Sequence, residues 1–242
     1  LDAYDYIFQQ AEMLGKAYLM TILVTVIGTA VGVTITALLA YMLSQKGLPG
    51  RKVLNFLVVF TMLFNGGLVP TYIMYAGTFH IKDTIFALLI PSLMMNAFNV
   101  LLMKSYFVSS VPGEILEAAY VDGAGEWTVL QKVALPMAKP IIATIAMFSG
   151  IAYWNDWNNG YIYLVKRTDL YTIQNLLNRL MQNIQALSAS SNISNAQQGL
   201  AQIPSTSVRM AMAVLGILPV IIVYPFVQKY FVKGITLGGI KG

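Results

Sequence analysis

The chain has 242 residues, 57% apolar and only 10% charged, with a mean hydropathy of +0.66. A soluble domain carries about a quarter charged residues, so the composition excludes an ordinary water-facing surface and points to lipid. The 15 basic side chains outnumber 10 acidic ones, but they stand scattered at the ends of apolar runs, which fits a positive-inside bias and not a nucleic-acid surface. The sequence has no Cys, which removes disulfides and thiolate metal sites. The single histidine, His80, reads as a solvated loop residue, because a metal site needs several ligands.

About 20 apolar residues cross a bilayer as a helix, and five stretches qualify. The chain opens on Leu1, so an N-terminal piece is expected to precede it, and no signal peptide is visible. The first span covers 17–43 and holds Gly28-x-x-x-Gly32, a small-residue spacing that permits close packing. The second, 53–75, is interrupted by Asn65-Gly66-Gly67 and Pro70. The third, 84–103, contains Pro91, Asn96 and Asn99. The fourth runs from Pro136 or Pro140 to about 153, and the fifth covers 208–231. The expected fold is therefore all-α, a polytopic membrane helical bundle forming one transmembrane domain over 1–242.

Nine of the 15 cations fall on one side of these spans and six on the other. That bias places the polar segment 111–136 and the C-terminus in the cytoplasm, and the start of the chain outside. It also calls for one further span upstream, six in the native protein. The longest external connection, 154–207, holds apolar residues at helical spacing: Leu170, Ile173, Leu176, Leu177, Leu180, Met181, Ile184 and Leu187. The Ser-, Asn- and Gln-rich stretch after it, running to Gln202, reads as a flexible loop.

The segment 111–136 concentrates charge in a chain otherwise short of it: Glu114, Glu117, Asp122, Glu126 and Lys132, with Lys139 just beyond. Val111-Pro112-Gly113 should end the preceding span, with Glu114 and Glu117 in the first turn of a new helix, where the helix dipole favours acids. Ala118 and Ala119 let a partner surface approach the backbone. Gly123 gives the turn a conformation that other residues resist, and Leu135-Pro136 should start the next span. The bland alternative is a helical elbow lying flat on the membrane.

Glu117-Ala-Ala-Tyr-Val-Asp-Gly123, followed nine residues later by Val133-Ala-Leu-Pro136, closely resembles the EAA loop of permease subunits in bacterial binding-protein-dependent ABC importers. Val133 stands for the usual Ile. The resemblance implies that this helix fits a cleft on an ATPase subunit, with Glu117 as the polar contact, Ala118, Ala119 and Gly123 as close packing, and Asp122, Leu135 and Pro136 completing the motif. Phe64-Asn-Gly-Gly-Leu-Val-Pro-Thr-Tyr72 and the tail Gly234-Ile-Thr-Leu-Gly-Gly-Ile-Lys-Gly242 are similar to the carbohydrate branch, above all to second permeases of complex oligosaccharide systems, some of them uronate-containing. The implied partners are a second homologous permease, two ATPase subunits that bind ATP and Mg, an extracytoplasmic substrate-binding protein and an oligosaccharide, within a lipid bilayer. In maltose-importing relatives the Gly-rich tail reaches towards the ATPase interface, a part open here to Gly238, Gly239 and Gly242 unless the terminus frays.

A translocation route needs inward polar groups. Asn96 and Asn99, three apart and so placed on one helical face, and Asn65 either line that route or hydrogen-bond between helices. Trp154, Asn155, Asp156 and Trp157 either suit a sugar ring or belong to an interfacial aromatic belt. Asp156 and Asp169 do not make a two-carboxylate glycosidase site. No phosphate-binding loop occurs, so no ATP, cofactor or metal is expected in this chain. An ion-coupled secondary transporter or channel would need an acid or pore lining within the spans, and a membrane enzyme would need a nucleophile or metal.

Overall fold

The computed structural model of the chain describes residues 11–190 together with 210, 214, 216–219, 221, 222 and 225. Among them every regular element is helical and no strand occurs, which fits the all-α expectation. Helix α1 spans Ala11–Ser44. Its 34 residues rise about 50 Å, well past the roughly 30 Å of a hydrocarbon core. It is the one described helix long and apolar enough to cross a membrane alone, and up to three crossings result if each of two bent helix pairs is one span. The fifth stretch, 208–231, lies almost wholly outside the described residues.

The other expected spans are broken beside glycines and prolines. Helix α2 (Arg51–Leu63) ends before Asn65-Gly66-Gly67. There the Asn65 side-chain oxygen accepts the Gly67 N–H at 2.8 Å and Gly67 takes a φ of 88°. Helix α3 (Leu68–Tyr72), with its π-helical continuation Ile73–Thr78, then leaves at 116°. The stretch 84–103 is not one helix but α4 (Phe86–Leu89) and α5 (Ala97–Ser110). Pro91 has no N–H to continue α4, and Ser92 turns left-handed at φ 63°. The carbonyls this break frees are met by side chains: Tyr153 Oη donates to Leu89 O at 2.7 Å and Asn159 Nδ2 to Pro91 O at 2.9 Å, as irregular backbone in a membrane protein requires.

After α5 come α6 (Gly113–Val121) and α7 (Glu126–Val129), which continues through a π-helical Leu130–Ala134 to Leu135–Met137. An 80° bend separates this run from α8 (Lys139–Asn155). Then follow α9 (Asn158–Tyr163), a 3-10 turn at Thr168–Leu170 and α10 (Ile173–Ser190).

The chain divides into two compact units, each gathered from separate stretches. One holds the described residues of Leu1–Thr25, Tyr72–Pro91 and Tyr153–Tyr224. Its core packs Ile173, Leu176 and Leu177 of α10 on Leu14 and Ala17 of α1, so the helical spacing expected there is used for burial. The other unit holds the described residues of Val26–Thr71, Ser92–Ala152 and Pro225–Gly242. Its core joins Ala37, Ala40, Tyr41 and Leu43 of α1 with Met103 and Phe107 of α5, Leu130 and Ala134 of α7, and Ile141 and Ile145 of α8. Gly32 earns its place here: a Cβ would stand 2.9 Å from Met94 O, so the close approach is to a loop carbonyl and not to a second helix.

In the first unit Asp83, itself at φ 57°, turns one carboxylate oxygen to the backbone N–H groups of Val165, Lys166 and Arg167 at 2.7, 2.8 and 3.3 Å. These donors, Lys166 foremost, hold its carboxyl below the usual carboxylate range. A lowered folded value means that the clip is complete above the unfolded pKa of about 3.9 and is lost as pH falls through the folded one. In hydrogen–deuterium exchange, Asp83→Asn is expected to speed exchange at residues 165–167 at neutral pH while leaving α10 unchanged. Equal protection in the wild type and the variant would show that the carboxylate does not hold this junction.

Candidate coupling site

Pro112, in extended conformation, is the N-cap residue of α6, and its φ near −62° suits the entry to a helix. Glu114 lies in the first turn, where the unpaired N–H groups attract negative charge. The helix closes at Asp122, whose N–H donates to Ala118 O at 3.0 Å, and at Gly123, whose N–H donates to Tyr120 O at 3.0 Å. Gly123 has φ 81°, a conformation that costs an L-residue about 1–2 kcal/mol. Sequence reading placed this turn correctly.

The elbow shows its face to the surroundings. Glu117, Ala118, Asp122 and Gly123 are exposed and Ala119 is half-buried. Large apolar side chains accompany them: Ile115 is 43% exposed, Val121 87% and Trp127 60%. Apolar and acidic groups left uncovered side by side in this way form a patch of the kind that marks a protein or membrane contact.

Leu135 and Pro136 do not begin the next long helix. They sit in the last turn of α7, and α8 starts at Lys139, past the bend at Ala138. The physical reason lies in Pro136, which has no N–H for the carbonyl one turn earlier. The π-helical residues just before it take up that mismatch, and Pro140 then occupies the first turn of α8, where a missing N–H is harmless.

A contact that the sequence did not announce, among Tyr41, Tyr120 and Glu126, ties the elbow down. Tyr120 Oη donates to Glu126 Oε2 at 2.8 Å, Tyr41 Oη donates to the same oxygen at 3.3 Å, and the two hydroxyls lie 3.5 Å apart. Tyr41 is only 5% exposed and its ring meets Phe107 edge-on at 5.7 Å between centroids. Burial, with the carboxylate beside it, raises the Tyr120 hydroxyl above its ordinary pKa, so it remains a donor at neutral pH. A cavity of about 630 Å³, lined by Leu38, Tyr41, Met42, Leu48, Glu126 and Trp127 among others, opens beside these groups. The side of α7 that faces it is therefore braced by the two hydroxyls as well as by the packing of Leu130.

The amides proposed for a route are engaged in backbone contacts. Asn96 lies outside the helix as the N-cap of α5 and accepts the Asn99 N–H at 3.2 Å. The two therefore do not share a helical face, while Asn99 itself is buried. Asp156 accepts the N–H groups of Asn158 and Asn159, at 3.1 and 3.3 Å, at the start of α9. Burial pushes its carboxyl up and those two donors partly offset the shift. Trp154 Nε1 donates to Gly216 O at 3.1 Å, and Gln174 reaches Asn155 Oδ1 at 3.4 Å. Trp157 is 43% exposed and stands edge-on to Tyr161. Gly238, Gly239 and Gly242 lie outside the described residues. Sequence reading also passed over Arg179, which donates to Leu164 O at 2.9 Å and to Asn175 Oδ1 at 3.1 Å. Its i, i+4 spacing from Asn175 was the available signal.

Residues 32–237 match the family described as binding-protein-dependent transport system inner membrane component. The whole chain is 39% identical to the polygalacturonan/rhamnogalacturonan transport system permease protein YtcP of Bacillus subtilis, covering 82% of it. A 25% identity over 95% of the chain and 77% of the relative links it to the melibiose/raffinose/stachyose import permease protein MelC of the same organism. A crystal structure of a bacterial ABC transporter involved in the import of the acidic polysaccharide alginate contains a chain with a TM-score of 0.78 and 32% identity, over 95% of this chain and 79% of that one.

Removing the hydroxyl in Tyr120→Phe, or the carboxylate in Glu126→Ala, is expected to lower the local opening free energy of the elbow by about 0.5–1.5 kcal/mol each. Because the two share one bond, the double variant should fall short of the sum by about 0.5 kcal/mol or more. Native-state hydrogen exchange over residues 113–137 reads both effects, and strict additivity would contradict the shared bond.

Proposed function

Because this chain belongs to the family of binding-protein-dependent transport system inner membrane components, a non-catalytic permease of the bacterial inner membrane, we propose that it is one of two permeases in an ATP-driven oligosaccharide importer. The proposed assembly adds a second, homologous permease, two ATPase subunits that bind ATP and Mg, and an extracytoplasmic substrate-binding protein. Five spans within these residues would set 111–136 on the cytoplasmic side and 154–207 outside.

The observation that carries the reading is the uncovered face of α6, with Glu117 and Ala118 outward beside a turn that Gly123 permits. On this reading the face seats in a cleft of an ATPase subunit. Closure of the ATPase pair on ATP pulls α6, and with it the spans, so that the cavity between the permeases opens to the binding protein. Hydrolysis resets the cycle. Support for an acidic sugar comes from two relatives above 30% identity, whose names refer to polygalacturonan/rhamnogalacturonan and to alginate, whereas the melibiose/raffinose/stachyose permease is at 25%. Asn65, Asn96, Asn99 and the 154–157 cluster are proposed to shape the route through the backbone they hold, and the tail glycines to lie near the ATPase.

The test uses the complete assembly in proteoliposomes. Glu117→Lys and Gly123→Trp are each expected to keep ATP hydrolysis but to lower uptake about tenfold or more, a coupling loss of about 1.4 kcal/mol. Gly123→Asn should be mild, since Asn tolerates the left-handed region. An unchanged ratio of ATP used to sugar taken up in both severe variants would refute the reading. In the same assay an oligogalacturonate should outcompete raffinose as substrate, and the reverse order would remove the acidic assignment.

A further inference from the structure

Among the described residues, three cations cluster at one end of α2 without an acid to answer them. Arg51 opens the helix and directs Nε to Leu43 O at 2.8 Å, in the last turn of α1, where carbonyls lack helical partners. That leaves the two terminal nitrogens of its guanidinium to be met. Asn55, one turn on, donates Nδ2 to Arg51 O at 2.7 Å, and its Oδ1 accepts from Lys104 Nζ of α5. Lys104 is thereby held half-buried and close enough to Arg51 for the two positive charges to repel. Lys52 stands exposed next to them. Among the described residues the ion pairs are Lys16–Glu12 and Arg167–Asp169, so none of the three cations has a carboxylate partner. Fixed, partly desolvated like charges of this kind are costly unless an anion joins them.

What lies along the same helix indicates which anion. Lys52, Phe56 and Phe60 follow at i, i+4 and i+8, on one face of α2, and Phe64 extends the row. Neighbouring rings touch, Phe56 tilted against Phe60 with centroids 6.0 Å apart and Phe60 stacked on Phe64 at 5.2 Å. They are 64%, 43% and 61% exposed. An apolar ribbon about 12 Å long that ends in these cations matches part of a phospholipid, with an acyl chain on the ribbon and the phosphate at the cations.

We propose that Arg51, Lys52 and Lys104 form a binding site for the phosphate of an anionic phospholipid whose acyl chain lies on the Phe56–Phe60–Phe64 ribbon. The guanidinium and ammonium supply charge-assisted hydrogen bonds to the phosphate oxygens. This site does not depend on the sugar or on the ATPase contact, only on the chain residing in a membrane.

The complete assembly, extracted in mild detergent, is titrated with phosphatidylglycerol or phosphatidylcholine of matched acyl chains, and retained lipid is counted by native mass spectrometry. The expected result is retention of phosphatidylglycerol at about tenfold lower concentration than phosphatidylcholine, in line with the attraction of two or three surface cations. The pair Arg51→Gln with Lys104→Gln should abolish that preference, and Lys139→Gln should leave it. Arg51→Lys gives up the bond to Leu43 but keeps the charge, so it should retain the preference. If it loses as much as Arg51→Gln, packing and not charge is responsible and the proposal fails. It fails equally if the wild type shows no preference. Inorganic phosphate should not displace the lipid, and Phe56→Ala with Phe60→Ala should weaken retention. Displacement by phosphate alone, with the Phe variants inert, would make this a free-anion site and overturn the lipid assignment.

Discussion

Two phenol hydroxyls converging on one carboxylate oxygen hold an exposed helix to the end of an apolar one. Tyr41 belongs to α1 and is buried, Tyr120 belongs to the elbow, and Glu126 opens the helix that leads towards α8. A displacement imposed on α6 from outside would reach α1 through this joint as well as through the chain and the packing of Leu116. Packing alone would transmit it poorly on the cavity side, where Leu38, Met42 and Trp127 face open space. Val111, Leu130 and Ala134 are nonetheless sealed into the core with α1 and α5. The elbow is therefore fixed at its root and exposed at its tip.

Polar groups elsewhere follow a different logic. Where apolar helices are interrupted, the freed backbone carbonyls and N–H groups are met one by one by Tyr153, Asn159, Asp156 and Asn96. Each such contact removes a group whose exposure to lipid would cost several kcal/mol. Amides and aromatics that resemble sugar contacts in the sequence thus have a first task in holding broken helices together. A cavity built from such breaks would still owe its shape to them.

The sequence was most legible where one residue type admits one conformation. Pro112 opening α6, Gly123 at positive φ and Glu114 in the first turn are local matters, and each stands where residue chemistry puts it, whereas Glu117, expected in that turn as well, falls in the second because the helix already begins at Gly113. The apolar spacing of α10 was legible for the same reason, because a periodic face needs only a neighbour to bury it. The helix breaks at Ser92 and Ala138 were harder. Pro91 and Pro136 were visible, but whether a proline kinks a helix or ends it depends on which distant side chain meets the orphaned carbonyl, and Asn159 lies 68 residues from Pro91. The Tyr41–Glu126 contact was illegible on the same ground, with 85 residues between its partners and nothing in either local pattern to announce the other. Leu135-Pro136 shows a different limit: the motif was seen, and the π-helical residues that shift its register were not.

The absence of Cys from the sequence makes one measurement unusually direct. A single thiol introduced as Ala118→Cys on the outward face of α6, carrying a photoactivatable reagent, reports what covers that face in the working assembly. A covalent product between this permease and an ATPase subunit is expected, with a yield that changes when ATP is bound. Products with lipid alone, or with the extracytoplasmic binding protein, would contradict it.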